Sequence, residues 1–220
     1  LLNSDVKYPN IIITFTPDEE IGRGTDAFNY DYYKEKGCSI AYTLDGGEPN
    51  VINYENFNAA SCVVKINGKS IHPGSAKNKM INAILVAMEF NDLLPKNMLP
   101  SLTDNYEGFN HLVDISGSVS EAKLVYIIRN HDLALFNKQK ELFKKAEEYL
   151  NCKYGYNVCN VILKDSYFNM KEIVMTKPKI LKIAEEALIE NNYIPKYEPI
   201  RGGTGGARLT CEGIITANLG

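Results

Sequence analysis

Two short apolar runs, each followed closely by acidic residues, constrain this chain more than any other feature of its sequence. Residues 11–15 and 40–44 are rich in β-branched and other apolar side chains and are closed by turn formers, a pattern typical of buried strands. The segment 24–36 between them is predicted to be helical. Strand, helix and strand in this order indicate an α/β fold with a doubly wound sheet.

The acidic residues after these runs indicate a metal site. Glu19 and Glu20 follow the first predicted strand, and Asp45 follows the second. Because open α/β sheets build ligand sites at the carboxyl ends of their strands, we expect the three carboxylates to converge. Converging carboxylates need positive charge, which a divalent metal supplies. One glutamate would then ligate metal while the other moves protons for a hydrolytic water, as in a metallohydrolase. The alternative is a Glu-Glu pair on a solvated helix face.

A second group of elements occupies the middle of the chain. The predicted elements are a strand at 60–67, a helix around 83–93, an antiparallel pair at 111–120 and 121–129, a helix at 133–150 and a strand at 157–164. This β–α–β–β–α–β order is typical of a small α+β sandwich. The α/β pattern then returns with a helix at 178–190 and a strand at 214–219. We therefore predict that an α+β domain, 58–167, interrupts an α/β domain formed by 1–57 and 168–220.

Charge and composition argue against several classes of partner. The net charge is −3 with no basic block, so nucleic acid is not expected as a partner. The sequence has no long apolar run, so a membrane is not expected either. The five cysteines are scattered and form no C-x-x-C pair, which favours free thiols and a cytoplasmic location. The chain begins with Leu and stops directly after a predicted strand, so we expect a fragment of a longer protein.

Eight motifs, in order along the chain, resemble those of the peptidase T family, the tripeptide aminopeptidases among the M20 di-zinc metallopeptidases. They are FTPDEEIG at 15–22, YTLDGG at 42–47, ENFNAA at 55–60, HPGSAK at 72–77, YEGFNHL at 106–112, YIIR at 126–129, DSYFNM at 165–170 and PIRGGT at 199–204. The resemblance spans nearly the whole chain. It implies a zinc-peptidase-like catalytic domain, partial here, with the α+β domain as its lid.

The resemblance also implies catalytic roles. Glu19 would be the general base, Glu20 would ligate one zinc and Asp45 the other, with two zinc ions per full-length subunit or another divalent metal in their place. The family's remaining ligands, a His-x-Asp pair, a bridging Asp and a final His, have no counterpart in this chain. Two carboxylates make a poor zinc site, so the chain by itself is predicted to be inactive.

Substrate contacts implied by the resemblance come from the lid and from one turn. His72 would bind the developing oxyanion, Arg129 the terminal carboxylate of the substrate, and Arg201, Gly202 and Gly203 would line the cleft. Turn chemistry alone would also explain His72, and Arg129 would also suit an edge strand. The turn lacks phosphate-loop spacing, and no clear helix is predicted after it.

Two positions depart from the family pattern, and two histidines receive no role. Gly205 and Asn130 stand where the family commonly has Asp. With Gly205, the cleft turn lacks a side chain that would fix it. His111 and His131 are interpreted as surface or lid-packing residues.

The function implied is a zinc-dependent aminopeptidase that releases the N-terminal residue from tripeptides, with short peptides as substrates. One alternative is another M20 activity, as a dipeptidase, carboxypeptidase or N-acyl deacylase. The other is a non-catalytic self-association module, since the lid would also support a homodimer.

Overall fold

The computed structural model describes residues 9–17, 24–26, 28–44 and 47–220, which form two sheets with their helices. The strands are β1 (Ile40–Leu44), β2 (Val51–Asn53), β3 (Asn58–Asn67), β4 (Phe109–Gly117), β5 (Glu121–Asn130), β6 (Cys159–Tyr167), β7 (Lys196–Tyr197) and β8 (Ile215–Leu219). The α-helices are α1 (Tyr30–Glu35), α2 (Ala83–Leu93), α3 (Leu133–Tyr154), α4 (Lys171–Val174), α5 (Lys179–Glu190) and α6 (Gly205–Cys211). Within these described ranges, no helix is both long enough and apolar enough to cross a membrane.

The first sheet combines strands that precede and follow the lid in sequence. Its order is β1-β8-β2-β7, in which β8 runs parallel to β1 and antiparallel to β2, and β7 runs parallel to β2. Apolar residues of α5 and α6, including Ile180 and Ala207, share a buried cluster with Ile52 and Ala217 of the sheet. The predicted α/β character is confirmed, although the sheet is mixed rather than wholly parallel.

The predicted strand at 11–15 is wrong. These residues pair with no strand in the described part of the chain, and Ile13 and Phe15 are 69% and 93% exposed. Apolar, β-branched composition favours a strand, but a strand forms only where a neighbour receives its backbone hydrogen bonds. The predicted helix at 24–36 shortens to α1, where the Asn29 side chain accepts a hydrogen bond from the Tyr32 amide at 3.1 Å.

The second sheet is wholly antiparallel, in the order β4-β5-β3-β6. α2 and α3 contribute to the buried core beside it, where the rings of Phe90, Tyr126 and Phe143 contact one another. α3 is fixed at both ends, because Asp132 caps its first turn and Gly155 ends it in a left-handed conformation. The predicted β–α–β–β–α–β order is confirmed. We retain the proposed division at 58–167 and call that segment the lid.

Three asparagines, of which Asn56 and Asn58 are buried and Asn169 is half-buried, tie together the two crossings of the chain between the sheets. Asn58 Nδ2 donates to the carbonyls of Asn130 and His131, both at 3.0 Å, and Asn58 Oδ1 accepts from the Asn169 amide at 3.0 Å. Asn169 Oδ1 accepts in turn from the Asn56 amide at 3.1 Å. We call Asn56, Asn58 and Asn169 the asparagine clamp. It joins the lid to the segments on both sides of it.

The turn that begins at Arg201 leads into α6, so the prediction that no clear helix follows it is wrong. Two glycines open α6 and lower its helix propensity, which is why the sequence did not indicate it. Thr204 Oγ1 accepts from the Gly206 amide at 3.2 Å, and Ala207 and Leu209 are buried. Capping and packing therefore outweigh propensity here.

Candidate functional site

The three carboxylates assigned to catalysis, Glu19, Glu20 and Asp45, lie outside the described residues. The structure does describe the carboxyl end of β1, which lies directly before Asp45 in the sequence. β1 pairs in parallel with β8, with Thr43 opposite Asn218, so the carboxyl ends of both strands meet at one edge. The Thr43 hydroxyl donates to the side-chain oxygen of Asn218 there.

The described residues contain no group of three or more His, Cys, Asp and Glu side chains that could hold a metal ion. Glu20 and Asp45 supply two carboxylates, which are hard ligands suited to a divalent metal. Zinc takes three or four protein ligands. The donors that this sequence assigns therefore fit part of a metal site without completing one.

The glycine-rich turn from Arg201 to Thr204 lies beside the same strand edge. Thr204 Oγ1 donates to Asn218 Oδ1 at 3.0 Å, and any side chain at Gly206 would collide with the Asn218 amide. Asn218 thus joins the turn to the end of β1, while its Nδ2 has no partner among the described atoms. A Cβ on Gly205 would contact Thr25 Cγ2 at an ordinary 3.7 Å. The packing around the Gly205 Cα therefore leaves room for a Cβ, as the family's Asp requires.

Arg129 and Gly203, both assigned to substrate binding, come together through Tyr167. The guanidinium carbon of Arg129 lies 5.5 Å from the centre of the Tyr167 ring. The same ring lies 3.0 Å from where a Cβ on Gly203 would sit, so only glycine permits this approach without a shift. Burial raises the pKa of Tyr167, and Arg129 opposes that shift through its charge and a hydrogen bond. The motif containing Tyr167 was recognised in the sequence, but no role was predicted for this ring.

The other glycine of the turn is unobstructed. No described atom lies within 4 Å of the position that a Cβ on Gly202 would take.

The Arg129 side chain is bonded to the lid sheet, since Nη1 donates to the carbonyls of Ala60 and Ile128 at 3.2 and 2.9 Å. Within the described residues, no backbone carbonyl accepts a hydrogen bond from the second terminal nitrogen of Arg129.

His72 lies beyond the opposite end of β3 from Arg129. Arg129 pairs with Ala59 near the start of β3, and from Ala59 to Asn67 the strand runs about 26 Å at its usual rise per residue. His72 follows in the next loop, is exposed, and accepts a hydrogen bond on Nδ1 from the Gly74 amide at 3.2 Å. Two residues assigned to one substrate are thus attached to opposite ends of this strand.

A polar cluster forms where the lid loop 103–107 meets the first sheet. Arg201 donates to backbone carbonyls of that loop, and Glu55 accepts a hydrogen bond from Tyr106 Oη at 2.7 Å. His131 is buried there, with Nε2 3.2 Å from the Ile200 carbonyl. Burial lowers the pKa of His131, and the carbonyls of Ile200 and Tyr106 and the charge of Glu55 oppose the shift. Sequence reasoning gave Glu55 no role, because its partners are distant in sequence.

The two edge strands of the lid sheet differ in how their backbones are covered. Three side chains of α3 bond the backbone groups of Cys159 and Val161 in β6 at 2.6–2.9 Å, namely Lys144, Glu147 and Asn151. Residues 112–117 of β4 have no such cover, since within the described structure their backbone hydrogen bonds go to β5 and no other element. β4 is therefore the open edge of the lid.

Comparisons with known proteins agree with the resemblance. Residues 54–157 match the family model of the M20 peptidase dimerisation domain. Peptidase T from Clostridium acetobutylicum is 48% identical over 215 residues, and peptidase T from Clostridium perfringens is 49% identical over 217 residues. The chain belongs to the peptidase T family of M20 peptidases. The matches cover 98% and 99% of the chain but 52% and 53% of the two relatives, so the chain spans about half the length of the family members it matches.

Two solved structures share the fold of this family member. The aminopeptidase PepT from Bacillus cereus aligns with a TM-score of 0.76 at 21% identity, over 93% of this chain and 54% of that one. A tripeptidase from Staphylococcus aureus aligns with a TM-score of 0.76 at 20% identity and the same coverage. At this identity the likeness establishes the fold, which includes both sheets.

Proposed function

We propose that the complete protein is a zinc-dependent aminopeptidase that releases the N-terminal residue from tripeptides in the cytoplasm. The identity to peptidase T over nearly the whole chain supports this proposal. The observation that carries it is the contact of the Tyr167 ring with both Arg129 and Gly203. The turn that contains Gly203 is joined through Thr204 to Asn218, at the carboxyl ends of β1 and β8. Because this chain supplies only part of the donor set, we assign the activity to the complete protein and expect the chain alone to be inactive.

Glu20 and Asp45 would each hold one metal ion, with further ligands from the rest of the protein. The metal ions, when bound, would supply the positive charge that polarises the peptide carbonyl and acidifies water. Glu19 would accept a proton from the attacking water and return it to the leaving amine. Neighbouring glutamates suit these separate duties, because one side chain stays on metal while the other exchanges its proton.

Arg129 would select short peptides by binding their terminal carboxylate. Its position beside the turn at Gly203 fixes the distance between the carboxylate and the scissile bond, so longer peptides would place no carboxylate there. His72 is too far along the lid to share that substrate within one chain, and we propose that it serves the cleft of a partner copy.

The test is an assay of the full-length, zinc-loaded protein on a tripeptide, its N-acetylated form and its C-terminal amide. Cleavage of the free tripeptide alone is the expected result. Arg129→Ala should raise KM for the tripeptide about 10- to 100-fold, the effect of one charge-assisted hydrogen-bonded pair, and change KM for the amide far less. Lys123→Ala, an exposed residue on the same strand, is the matched control. Cleavage of the acetylated peptide would instead assign another M20 activity.

The metal assignments need a separate measurement. Glu20→Gln and Asp45→Asn are expected to lower the zinc content of the full-length protein, as measured by atomic emission. Glu19→Gln should retain the metal and lose turnover, because only proton transfer is removed. Normal zinc content in the first two variants would contradict the ligand assignment.

A second proposal concerns self-association, which the match to a dimerisation domain supports. We propose that two copies pair through β4, the open edge, because α3 blocks the edge at β6. Ile115 on β4 and Ile162 on β6 are similarly exposed, at 50% and 43%. In sedimentation experiments on the chain, Ile115→Lys should dissociate the dimer while Ile162→Lys leaves it intact. A monomeric wild-type chain at high concentration would overturn the proposal.

A further inference from the structure

One loop of the lid forms a cradle around the end of the Arg201 side chain. Nη1 donates to the carbonyls of Asn105 and Glu107 at 2.8 and 2.9 Å. Nη2 donates to the carbonyl and to the hydroxyl of Thr103 at 3.3 and 3.1 Å. The two terminal nitrogens carry four N–H groups, and these four hydrogen bonds occupy them. We call residues 103–107 the cradle loop.

The cradle loop is shaped by its own residues before Arg201 enters it. Asn105 adopts a left-handed conformation with φ of 44°. The Glu107 amide donates to the Asp104 carbonyl at 2.8 Å, and the Glu107 carboxylate accepts from the Asp104 amide at 3.1 Å. This turn directs the carbonyls of residues 103, 105 and 107 towards one point. A planar guanidinium with several donors matches that arrangement better than an ammonium group does.

The guanidinium group of Arg201 also contacts two aromatic rings. Its guanidinium carbon lies 5.1 Å from the ring centre of Phe57 and 5.8 Å from that of Phe109, distances suited to cation–π contact. The preceding residue, Ile200, donates its amide to the Glu55 carbonyl at 2.9 Å, and its carbonyl faces His131. Arg201 is therefore held on an aromatic surface that belongs to the junction between the two sheets.

A second contact to the cradle loop comes from Glu55, in the segment that precedes the lid. Tyr106 Oη donates to Glu55 Oε1 at 2.7 Å, and Lys171 Nζ donates to Glu55 Oε2 at 2.9 Å. The hydrogen bond to Glu55, with burial, raises the pKa of Tyr106 to about 12, so the phenol remains a donor at neutral pH. Glu55 precedes the lid and Lys171 follows it. The loop is thus anchored to both segments that adjoin the lid, through Glu55 before it and Arg201 after it.

We infer that Arg201 is a positioning residue that anchors the cradle loop to the cleft turn, and that it does not bind the substrate carboxylate. A carboxylate held by both terminal nitrogens would have to displace the four hydrogen bonds to the loop. Arg129, whose second terminal nitrogen is bonded to no described backbone carbonyl, remains the proposed carboxylate ligand. The inference rests on the proposed function for its kinetic consequence, whereas the anchoring itself is measurable without any activity.

The anchoring is tested on this chain by hydrogen exchange. Arg201→Ala should increase the exchange rate of the Glu107 amide and its loop neighbours by at least about tenfold, since the loop loses four hydrogen bonds to one group. Millimolar guanidinium should restore protection in this variant, because it fills the vacated cradle. Ammonium at the same concentration should not. Arg208→Ala, which breaks a surface pair with Asp26, is the control and should leave the loop unchanged.

Kinetics of the full-length protein test the positioning role. Arg201→Ala should lower kcat/KM by the same factor for a tripeptide and for its C-terminal amide. Tyr106→Phe, which removes the second anchor, should show the same pattern, and guanidinium should rescue Arg201→Ala with both substrates. A loss confined to the free tripeptide would overturn the inference, because it would identify Arg201 as a carboxylate ligand.

Failure of the proposed function would be distinguishable from failure of this inference. If the full-length protein cleaves no tripeptide, exchange and its rescue by guanidinium still decide whether Arg201 anchors the loop. Unchanged exchange in Arg201→Ala would overturn the inference whatever the activity.

Discussion

Replacing Asn58 by aspartate tests the asparagine clamp with a change of one heavy atom. The oxygen that accepts from the Asn169 amide is kept. The nitrogen that donates to the carbonyls of Asn130 and His131, both at 3.0 Å, becomes an oxygen. Asn58 is 2% exposed, so water does not replace the lost donor. Size, shape and one hydrogen bond are preserved, while the donor is removed and, at neutral pH, a buried negative charge is introduced.

The expected loss follows from these contacts. Each of the two neutral hydrogen bonds contributes about 1 kcal/mol, and a buried carbonyl left without a donor costs about 1–3 kcal/mol. The His131 carbonyl retains a second donor, Asn169 Nδ2 at 3.1 Å, so its penalty is the smaller. We expect Asn58→Asp to lower the free energy of unfolding by about 3–5 kcal/mol at neutral pH. The introduced carboxyl group would donate again once it is protonated, so part of the loss should return below about pH 5.

Urea unfolding of the chain, followed by circular dichroism, measures this change against the wild type at each pH. Asn82→Asp is the matched control. The Asn82 side chain caps α2 through its oxygen alone, accepting from the Ile84 amide at 3.0 Å, and aspartate caps helices as well as asparagine does. This chemically identical substitution should change stability by less than about 0.5 kcal/mol. Equal losses in the two variants, or no relative recovery of Asn58→Asp at low pH, would refute the reasoning.

Three further substitutions test other parts of the structure. Phe143→Ala removes a fully buried ring from the lid core and should lower the free energy of unfolding by about 3–5 kcal/mol in urea titrations; a loss below about 1 kcal/mol would contradict the core assignment. Gly108→Ala would bring a Cβ to 2.6 Å from the Arg129 carbonyl, whereas Gly202→Ala meets no described atom within 4 Å, so thermal unfolding should occur at lower temperature only in the first. Burial lowers the pKa of His131 from 6.5, so its neutral form favours folding above that pH and stability falls as pH drops through 6.5. His131→Gln should remove this dependence, which amounts to at most about 1.4 kcal/mol per pH unit; an unchanged pH profile would exclude His131 as its source.

The elements that sequence reasoning predicted well are those whose periodicity is local. The sequence predicts α3 at 133–150, because Phe136, Phe143 and Leu150 repeat on one face. In the structure the helix extends to Tyr154. The same reasoning failed at 11–15, where composition matched a strand but no described strand pairs with it. α6 was missed for the converse reason, since its glycines conceal a helix that capping and burial stabilise.

The site was predicted only as far as motifs reach. The resemblance singled out Arg129 and Gly203, but nothing local indicates that Tyr167 joins them, because the three residues belong to β5, β6 and a turn that are distant in sequence. Glu55 shows the same limit. Its carboxylate looks like a surface charge in the sequence, yet Glu55 is buried and bonded to Tyr106 and Lys171, which are 51 and 116 positions away. Polar residues buried by distant partners carry no periodic signal.

The contacts between the lid and the first sheet differ in burial, and this difference determines where the lid is able to move. Asn56 and Asn58 of the clamp are 0% and 2% exposed, so opening there would leave polar groups unsatisfied. Arg201 is only partly buried, so water is able to replace its hydrogen bonds to the cradle loop more readily than those of the clamp. We therefore expect any lid motion to pivot at the clamp and to separate Arg201 from the cradle loop. Arg129 lies near that pivot and would keep its distance from Gly203, whereas His72, beyond the far end of β3, would move furthest.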